Sequence, residues 1–305
     1  MPDIILHHYD TSPFSEKARL MLGLKGLAWR SVIQPNMMPK PHLLPLTGGY
    51  RRAPVMQVGA DVFCDSQVIL AELERLAPQP PAAIGPSFPV NLWADRPFFM
   101  ATVPIIFGEI GENVPKAFIE DREKLSGQPF NVAAMKAAGA PMRGQWRAHA
   151  AWVEQALATS GGDWLLGARP SVADIAAYMN FWFLLGAVRE IGEGLLAGLD
   201  RTRAWLERVR AIGHGRREEM TPQEALAVAK AAEPGLGIRH DPDDPLRLAP
   251  GAPTTVMADD YGRDPITGAL VAANAERVVI AREDPELGAI HVHFPRVGYV
   301  VVAAR

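Results

Sequence analysis

The chain has 305 residues, of which 48% are hydrophobic, and this predicts roughly two domains of about 150 residues, each with its own core. Lysine and arginine number 31 against 34 aspartate and glutamate residues, for a formal net charge of -3. Neither sign forms a block, which excludes a polyelectrolyte tail and argues against a nucleic-acid partner.

The cysteine content and the apolar segments indicate the compartment. Cys64 is the only cysteine in the sequence, so no intramolecular disulfide can form. The first residues lack the basic and long apolar regions of a signal peptide. The stretch from Tyr178 to Val188 is interrupted by Asn180 and Gly186 and is too short to span a membrane. We expect a cytoplasmic protein without a membrane segment.

Residues 1–78 predict a thioredoxin-like α/β domain. The predicted elements are, in order, a strand at residues 3–9, a helix from Phe14, a strand at 29–34, a proline-rich loop, a hairpin of strands at 54–58 and 62–64, and a helix starting at Asp65 or Ser66. The resulting order, βαβ, loop, ββα, gives a mixed sheet with helices packed on it.

The middle of the chain predicts an all-α helical-bundle domain. The prolines of residues 78–89 predict a semi-rigid linker, which is a natural domain boundary. From residue 90 to residue 232 the pattern is helical almost throughout, and no strand pattern competes seriously with it. The clearest helical segments are residues 146–157, 171–188, 202–212 and 221–231.

Residues 246–305 predict a small all-β C-terminal domain. Short β-like runs are separated here by glycine, proline, asparagine and aspartate, which is typical of a small antiparallel sheet or barrel. The runs lie at residues 254–257, 269–273, 277–281, 289–294 and 299–303. The sequence assigns no role to this appendage.

Ser12 lies where the first helix is expected to begin. A helix N-terminus carries unpaired N–H groups and a partial positive charge, which stabilise an anion such as a thiolate. A hydroxyl at that position can donate to the sulfur of a bound thiol and lower its pKa from about 8.5. The alternative is that Ser12 is an N-cap, with Pro13 at the first helical position. Since caps are far commoner than active sites, the residues alone favour the cap.

Pro54 and the pair Asp65-Ser66 mark the ends of the predicted hairpin. A proline at the first residue of a strand is ordinary, and Asp65 or Ser66 can be a helix cap. A helix N-terminus can also bind an anion or the charged groups of an amino acid. Both interpretations stay open on the residues alone.

Four motifs together resemble the glutathione transferase superfamily, over residues 3 to about 230. They are Ser12-Pro13-Phe14-Ser15, Tyr50-Arg51-Arg52-Ala53-Pro54-Val55, Asp65-Ser66 and Ser171-Val172-Ala173-Asp174. The resemblance implies a thioredoxin-like domain followed by an all-α domain. It also implies that the last motif is a helix capping box that serves folding.

The resemblance implies a site for glutathione as co-substrate. Pro54 would be cis, and the backbone of Ala53 would pair with the cysteinyl part of glutathione. Asp65 and Ser66 would hold its γ-glutamyl group. Ser12 would be the catalytic residue. Lys40 would bind the glycyl carboxylate, with Arg51 and Arg52 as alternatives because a guanidinium fits carboxylate geometry.

The active-site turn contains serine and no cysteine, so the chain resembles the conjugating, isomerising or dehalogenating members of the superfamily. We expect glutathione to attack an electrophilic, largely apolar small molecule. The side chains that could line a pocket for it are Trp93, Phe98, Phe99, Met100, Ile106 and Phe107. Aromatic residues at helical spacing are as often core. The resemblance also implies a homodimer.

The sequence leaves one alternative function open and predicts no metal site. The chain could be a non-catalytic binding or scaffold protein that uses the C-terminal β appendage for a partner. A metal site is not expected: His7 and His8 point to opposite faces of a strand, and His291 and His293 share a face without an evident third ligand.

Overall fold

A computed structural model describes residues 2–304 of the protein, and its ten named strands belong to one sheet. The strands are β1 (Ile5–His8), β2 (Ala28–Ile33), β3 (Val55–Val58), β4 (Asp61–Cys64), β5 (Arg216–Glu219), β6 (Pro253–Ala258), β7 (Ile266–Ala273), β8 (Arg277–Asp284), β9 (Gly288–Pro295) and β10 (Tyr299–Ala303). Their order in the sheet is β10-β6-β7-β8-β9-β4-β3-β1-β2-β5.

The helices are α1 (Pro13–Leu24), α2 (Leu44–Thr47), α3 (Ser66–Leu76), α4 (Ser87–Trp93), α5 (Phe99–Ile110), α6 (Lys116–Ser126), α7 (Val132–Thr159), α8 (Val172–Ala187), α9 (Arg189–Leu195), α10 (Asp200–Ala211) and α11 (Pro222–Lys230). A π-helical turn, Ala94–Phe98, joins α4 to α5. Within residues 2–304, no helix is both long and apolar enough to cross a membrane.

The N-terminal domain has the predicted thioredoxin-like fold. Strand β1 is parallel to β2 and antiparallel to β3, and β3 is antiparallel to β4. Every residue of β1 and β4 is buried, because both strands lie in the interior of the sheet. Helices α1 and α3 pack on it, as the apolar faces of their sequences require.

The helical domain is confirmed, and its core is aromatic. Phe98, Trp146, Phe181 and Trp205 are fully buried and contact one another. Helix α7 starts 14 residues before the predicted 146–157 segment. Its first half is alanine-rich and mostly exposed, so helix propensity supports it where an apolar stripe does not. The predicted capping box is present, with the Asp174 carboxylate accepting from the Ser171 N–H at 2.9 Å.

The expectation of an all-helical domain over residues 90–232 was wrong at one place, because β5 lies within it. Strand β5 pairs parallel with β2 at the edge of the sheet. Its sequence, Arg-Arg-Glu-Glu, is largely exposed and carries no apolar alternation that could have revealed a strand. The Trp29 indole donates to the His214 carbonyl at 2.7 Å and ties the preceding turn to β2. Helix α11 follows and packs Ala225 against Ile5 and Val32.

The C-terminal region is β-structured, as predicted, and its strands extend the sheet of the thioredoxin-like domain. Strands β6 to β10 are paired antiparallel, and β9 joins β4 in parallel register. Val62 and Cys64 share one apolar core with Ile280, Val292 and Phe294. The hydrophobic surfaces of the two regions are therefore buried against each other.

Buried polar contacts also join the two regions. The fully buried Glu72 carboxylate accepts from Arg277 Nη1 at 2.8 Å, and Arg277 is itself 4% exposed. His293, for which the sequence showed no third metal ligand, lies 2.8 Å from the Asp61 carboxylate and stacks on Phe63. The second oxygen of Asp61 accepts the N–H of Gly235 at 2.8 Å. Removing either partner from such contacts would leave a buried polar group unsatisfied.

The five C-terminal strands curl. Three residues connect β9 to β10, although three strands lie between them in the sheet. The connection spans at most about 15 Å, whereas four strand spacings in a flat sheet need about 19 Å. Curling brings the start of β10 next to the end of β9.

Candidate active site

The sheet brings three predicted site segments together at one end of its strands. His7 of β1 is opposite Val55 of β3, and Val55 is opposite Cys64 of β4. Ser12 follows the end of β1, Pro54 precedes β3, and Asp65 follows β4. Since antiparallel neighbours alternate in direction, all three lie at the same end of the sheet.

Ser12 is the N-cap of α1. Its Oγ accepts the N–H of Ser15 at 3.1 Å, and the residue is 1% exposed. Pro13 is the first helical residue. A hydroxyl has one hydrogen to donate and two lone pairs, so the capping contact leaves the O–H free to donate to another atom. Capping and donation to a thiol are therefore compatible at Ser12.

Pro54 follows Ala53 through a cis peptide bond, the isomer that the resemblance implied. Pro54 is buried, and Ala53 is partly exposed at the start of β3. The backbone of Ala53 thus lies between Ser12 and Asp65 at this end of the strands.

Asp65 is the N-cap of α3 and has an uncommon backbone conformation, with φ 99° and ψ 138°. Its Oδ1 accepts the Gln67 N–H at 2.8 Å, and its Oδ2 accepts from the hydroxyl of Tyr299 at 3.0 Å. Ser66, the first residue of α3, is 4% exposed. Both oxygens of the Asp65 carboxylate are thereby held in place.

Lys40 lies in a cluster of cations around one carboxylate. Its Nζ donates to the Arg51 carbonyl at 2.8 Å, and Arg51 Nη2 donates to Asp121 of α6 at 2.6 Å. Arg122, also of α6, donates to the Asn36 carbonyl. Burial, together with the charges of Arg122 and Arg51, lowers the pKa of Lys40 to about 8. Three cations face one anion here, an arrangement suited to an anionic ligand.

Arg52 contacts the C-terminal region. Its guanidinium lies between the rings of Tyr50 and Tyr261, at 5.5 and 4.8 Å from their centroids. Its Nη1 donates to Asp260 at 3.2 Å. Tyr261 and Asp260 belong to the loop between β6 and β7. Arg52 is therefore paired, and it takes no part in the cation cluster around Lys40.

The predicted apolar pocket residues have three different environments. Phe98 and Ile106 are fully buried, and Trp93 stacks on Phe98, so these three belong to the helical core. Phe99 instead contacts Phe14, two residues after Ser12, with ring centroids 4.8 Å apart, and Phe183 at 6.2 Å. Phe107 packs on Phe118 and Phe130 at the margin of the same helical core, and Met100 is 67% exposed. An apolar surface of Phe14, Phe99 and Phe183 thus lies beside Ser12.

Cys64 and the β1 histidines have structural environments. Cys64 is a buried free cysteine, and burial raises the pKa of its thiol. His7 lies 2.9 Å from Gln57 and His8 lies 3.0 Å from Ser31. Burial lowers the pKa of His7 to about 4, so the imidazole is neutral near pH 7. Within residues 2–304, no three His, Cys, Asp or Glu side chains are grouped to hold a metal ion.

Sequence comparison agrees with this architecture. Residues 6–81 match the model of the glutathione S-transferase N-terminal domain, and residues 122–208 match the model of its C-terminal domain. A GST-like protein of known structure from Pseudomonas syringae is 33% identical, with 100% of each chain covered and a TM-score of 0.81. The chain belongs to the glutathione S-transferase superfamily. The full coverage includes the C-terminal strands.

More distant transferase structures share the fold. A glutathione S-transferase from Rhodospirillum rubrum is 20% identical over 68% of this chain and 88% of its own, with a TM-score of 0.54. A glutathione transferase family member from Pseudomonas fluorescens, with two glutathione molecules bound, is 15% identical over 70% of this chain and 93% of its own, with a TM-score of 0.52. No curated protein matches the chain.

Sequence reasoning missed the residues that reach the site from elsewhere. Asp121 and Arg122 come from α6, Asp260 comes from the loop between β6 and β7, and Tyr299 comes from β10. Tyr299 is separated from Asp65 by 234 positions. No local motif signals such a contact, because it depends on the pairing of β4 with β9 and on the curl of the strands that follow.

Proposed function

We propose that this member of the glutathione S-transferase superfamily binds glutathione and activates its thiol for attack on an electrophilic, largely apolar small molecule. The observation that carries the proposal is the strand register, which puts Ser12, Ala53-Pro54 and Asp65-Ser66 at the same end of strands β1, β3 and β4. These segments come from three parts of the N-terminal domain, and together they offer a hydroxyl, an exposed backbone and a carboxylate at a helix N-terminus.

Each charged group of glutathione has a complementary partner in the proposed site. The cluster of Lys40, Arg51 and Arg122 suits the glycyl carboxylate, because the three positive charges of the cluster exceed the single negative charge of Asp121. The Asp65 carboxylate suits the α-ammonium group. Ser66 and the N-terminus of α3 suit the α-carboxylate. Glutathione bound to the P. fluorescens relative is compatible with this assignment, at the level of a shared fold.

In the proposed reaction Ser12 acts on sulfur. Its O–H donates to the sulfur and stabilises the thiolate, so the S–H proton is released to solvent near neutral pH. The thiolate attacks the electrophilic atom and forms the new bond to sulfur. In a displacement, the leaving group departs with its bonding electron pair. Phe14, Phe99 and Phe183 would contact the apolar part of the co-substrate.

The cytoplasmic location and the homodimer belong to the same proposal. Light scattering of the purified full-length chain would test the dimer through its molar mass. A scaffold role for the C-terminal strands stays a prediction, as does the choice among conjugation, isomerisation and dehalogenation.

The function is tested by titration calorimetry with reduced glutathione at neutral pH, followed by turnover of apolar electrophiles. We expect saturable binding at millimolar or lower concentration. Ser12→Ala should lower turnover at least tenfold, which corresponds to about 1.4 kcal/mol of transition-state stabilisation. Thr221→Ala is the control, because Thr221 is the exposed N-cap of α11 and its loss affects only helix capping.

The two parts of the proposal can fail separately. An absence of glutathione binding by the wild-type chain would contradict the whole function. Binding with equal turnover by Ser12→Ala and the wild type would remove Ser12 from the mechanism and leave the glutathione site intact.

A further inference from the structure

The C-terminal strands reach the Asp65 end of the candidate site. The Tyr299 hydroxyl donates to Asp65 Oδ2 at 3.0 Å. Tyr299 is the first residue of β10 and is partly buried. Residues 6–81 and 122–208, which match the family models, do not include it. The contact is therefore a feature of this chain's C-terminal region.

The strand topology places Tyr299 there. Strands β4 and β9 run parallel, with Phe63 opposite His293, so Asp65 and Pro295 follow the same end of the sheet. The short connection after Pro295 brings the chain to Tyr299. The Asp259 N–H donates to the Gly298 carbonyl at 3.0 Å and holds the loop between β6 and β7 beside this connection.

The Tyr299 hydroxyl fixes one oxygen of a carboxylate whose other oxygen is fixed by the backbone. A carboxylate has about four lone-pair sites, and two of those on Asp65 are taken by Tyr299 and by the Gln67 N–H. The others stay available to a ligand. The φ of 99° at Asp65 is a backbone conformation that a residue with a side chain rarely adopts, and it persists where the surroundings hold it. Tyr299 is one of those surroundings.

The charges around Asp65 favour a cationic group. Arg52 contacts two tyrosine rings and donates to Asp260, which offsets part of its charge; the remaining charge acts on Asp65 at a distance, without an ion pair between the two side chains. The Asp65 carboxylate pairs with a neutral hydroxyl and a backbone N–H, so its own charge is not offset by those contacts. A ligand ammonium group would complete the pair.

We propose that Tyr299 is a positioning residue that holds the Asp65 carboxylate for the α-ammonium group of glutathione. This inference rests on the proposed function and deepens it. The C-terminal strands then have a role in ligand selection, because they set the orientation of the group that recognises the ammonium.

Titration calorimetry of Tyr299→Phe with two ligands tests the proposal. The first ligand is reduced glutathione, and the second is glutaryl-cysteinylglycine, the same tripeptide with hydrogen in place of the α-ammonium group. Loss of one hydrogen bond to an oriented carboxylate should weaken glutathione binding about fivefold. Binding of the second ligand, which is weaker in the wild type, should not change. The KM for glutathione should rise, and kcat at saturating glutathione should stay constant.

Thr255→Val is the control. Thr255 lies on β6, next to β10, and its hydroxyl contacts Thr267 at 3.0 Å on the exposed face of the same sheet. It should bind both ligands as the wild type does.

Three outcomes would overturn the proposal, and each would do so for a different reason. Equal or tighter glutathione binding by Tyr299→Phe shows that the hydroxyl does not assist recognition. An equal loss for both ligands shows that Tyr299 has only a structural role. Absence of wild-type glutathione binding overturns the proposed function and this inference with it.

Discussion

The two ends of the candidate site are completed by different parts of the chain. At the Lys40 end, α6 supplies Asp121 and Arg122, and cations outnumber the single carboxylate. At the Asp65 end, the C-terminal region supplies Tyr299 from β10 and Asp260 from the loop between β6 and β7. The first end is electrostatically unbalanced, while the second has a paired cation and a carboxylate held by neutral donors.

The difference shows how one fold can keep one half of a site and alter the other. Arg122 is the first residue of the segment 122–208 that matches the helical family model, and Asp121 directly precedes that segment. Tyr299 and Asp260 lie beyond it. We expect glutathione binding at the Lys40 end to depend on the number of positive charges, and binding at the Asp65 end to depend on the orientation of the carboxylate. Three changes would break or sharpen this comparison.

The largest expected effect concerns the buried ion pair that anchors the C-terminal strands. Arg277→Met leaves the fully buried Glu72 carboxylate without its buried partner. Breaking a buried pair costs about 3–5 kcal/mol when no partner is left; because Arg75 still pairs with Glu72, we expect the free energy of unfolding measured in urea to fall by about 3 kcal/mol, the lower end of that range. If the strands and the N-terminal domain form one cooperative unit, far-UV circular dichroism and tryptophan fluorescence should report the same transition.

Arg75→Met is the matched control, because Arg75 pairs with the same carboxylate from a side chain that is 47% exposed. Its loss should cost less than about 1 kcal/mol. Equal costs for the two variants, or separate transitions in the wild type, would contradict a shared folding unit.

The second effect concerns charge at the Lys40 end. Lys40→Met removes one of the three cations and should weaken glutathione binding about tenfold in calorimetry, as expected for loss of a charged hydrogen bond. Lys40→Arg keeps the charge and should stay within about threefold of the wild type. Wild-type affinity in Lys40→Met would exclude Lys40 from the site.

The same residue predicts a pH dependence. The pKa of Lys40 is lowered to about 8, chiefly by burial. The ammonium is therefore charged below that pH and neutral above it, so binding should weaken as the pH rises through 8. S-methylglutathione is the ligand to use, since its sulfur does not ionise. The decline should be smaller in Lys40→Arg, whose guanidinium stays protonated; parallel curves for the two proteins would contradict the prediction.

The smallest effect concerns the exposed ion pair between Arg96 and Asp259. Both side chains are more than one third exposed, at 37% and 38%. Asp259→Asn should change the free energy of unfolding by less than about 1 kcal/mol, as measured by urea denaturation. Glutathione affinity should be unaltered, which would separate this loop contact from the Tyr299 contact. A larger loss than that of Tyr299→Phe would place recognition in the loop.

Local sequence signals predicted much of the fold. The strands around Ser12 and Pro54, the helix that starts at Ser66 and the five C-terminal strands have turn residues and apolar patterns within a few positions of each other. Strand β5 gave no such signal, because its side chains are mostly exposed and main-chain pairing with β2 holds it. Most of the residues proposed for glutathione came from motifs, whereas Arg122 and Tyr299 came from the structure, and all of them stay predictions until binding is measured.

The sequence by itself determined most of the order of strands and helices, with β5 as the exception. It also determined the cap at Ser12 and the capping box at Ser171, because each depends on residues close together in the chain. Only the tertiary structure decided that β9 pairs with β4 and that Tyr299 meets Asp65. Such contacts depend on strand register and sheet curvature, which result from the packing of the whole core and have no signature at the residues that finally touch.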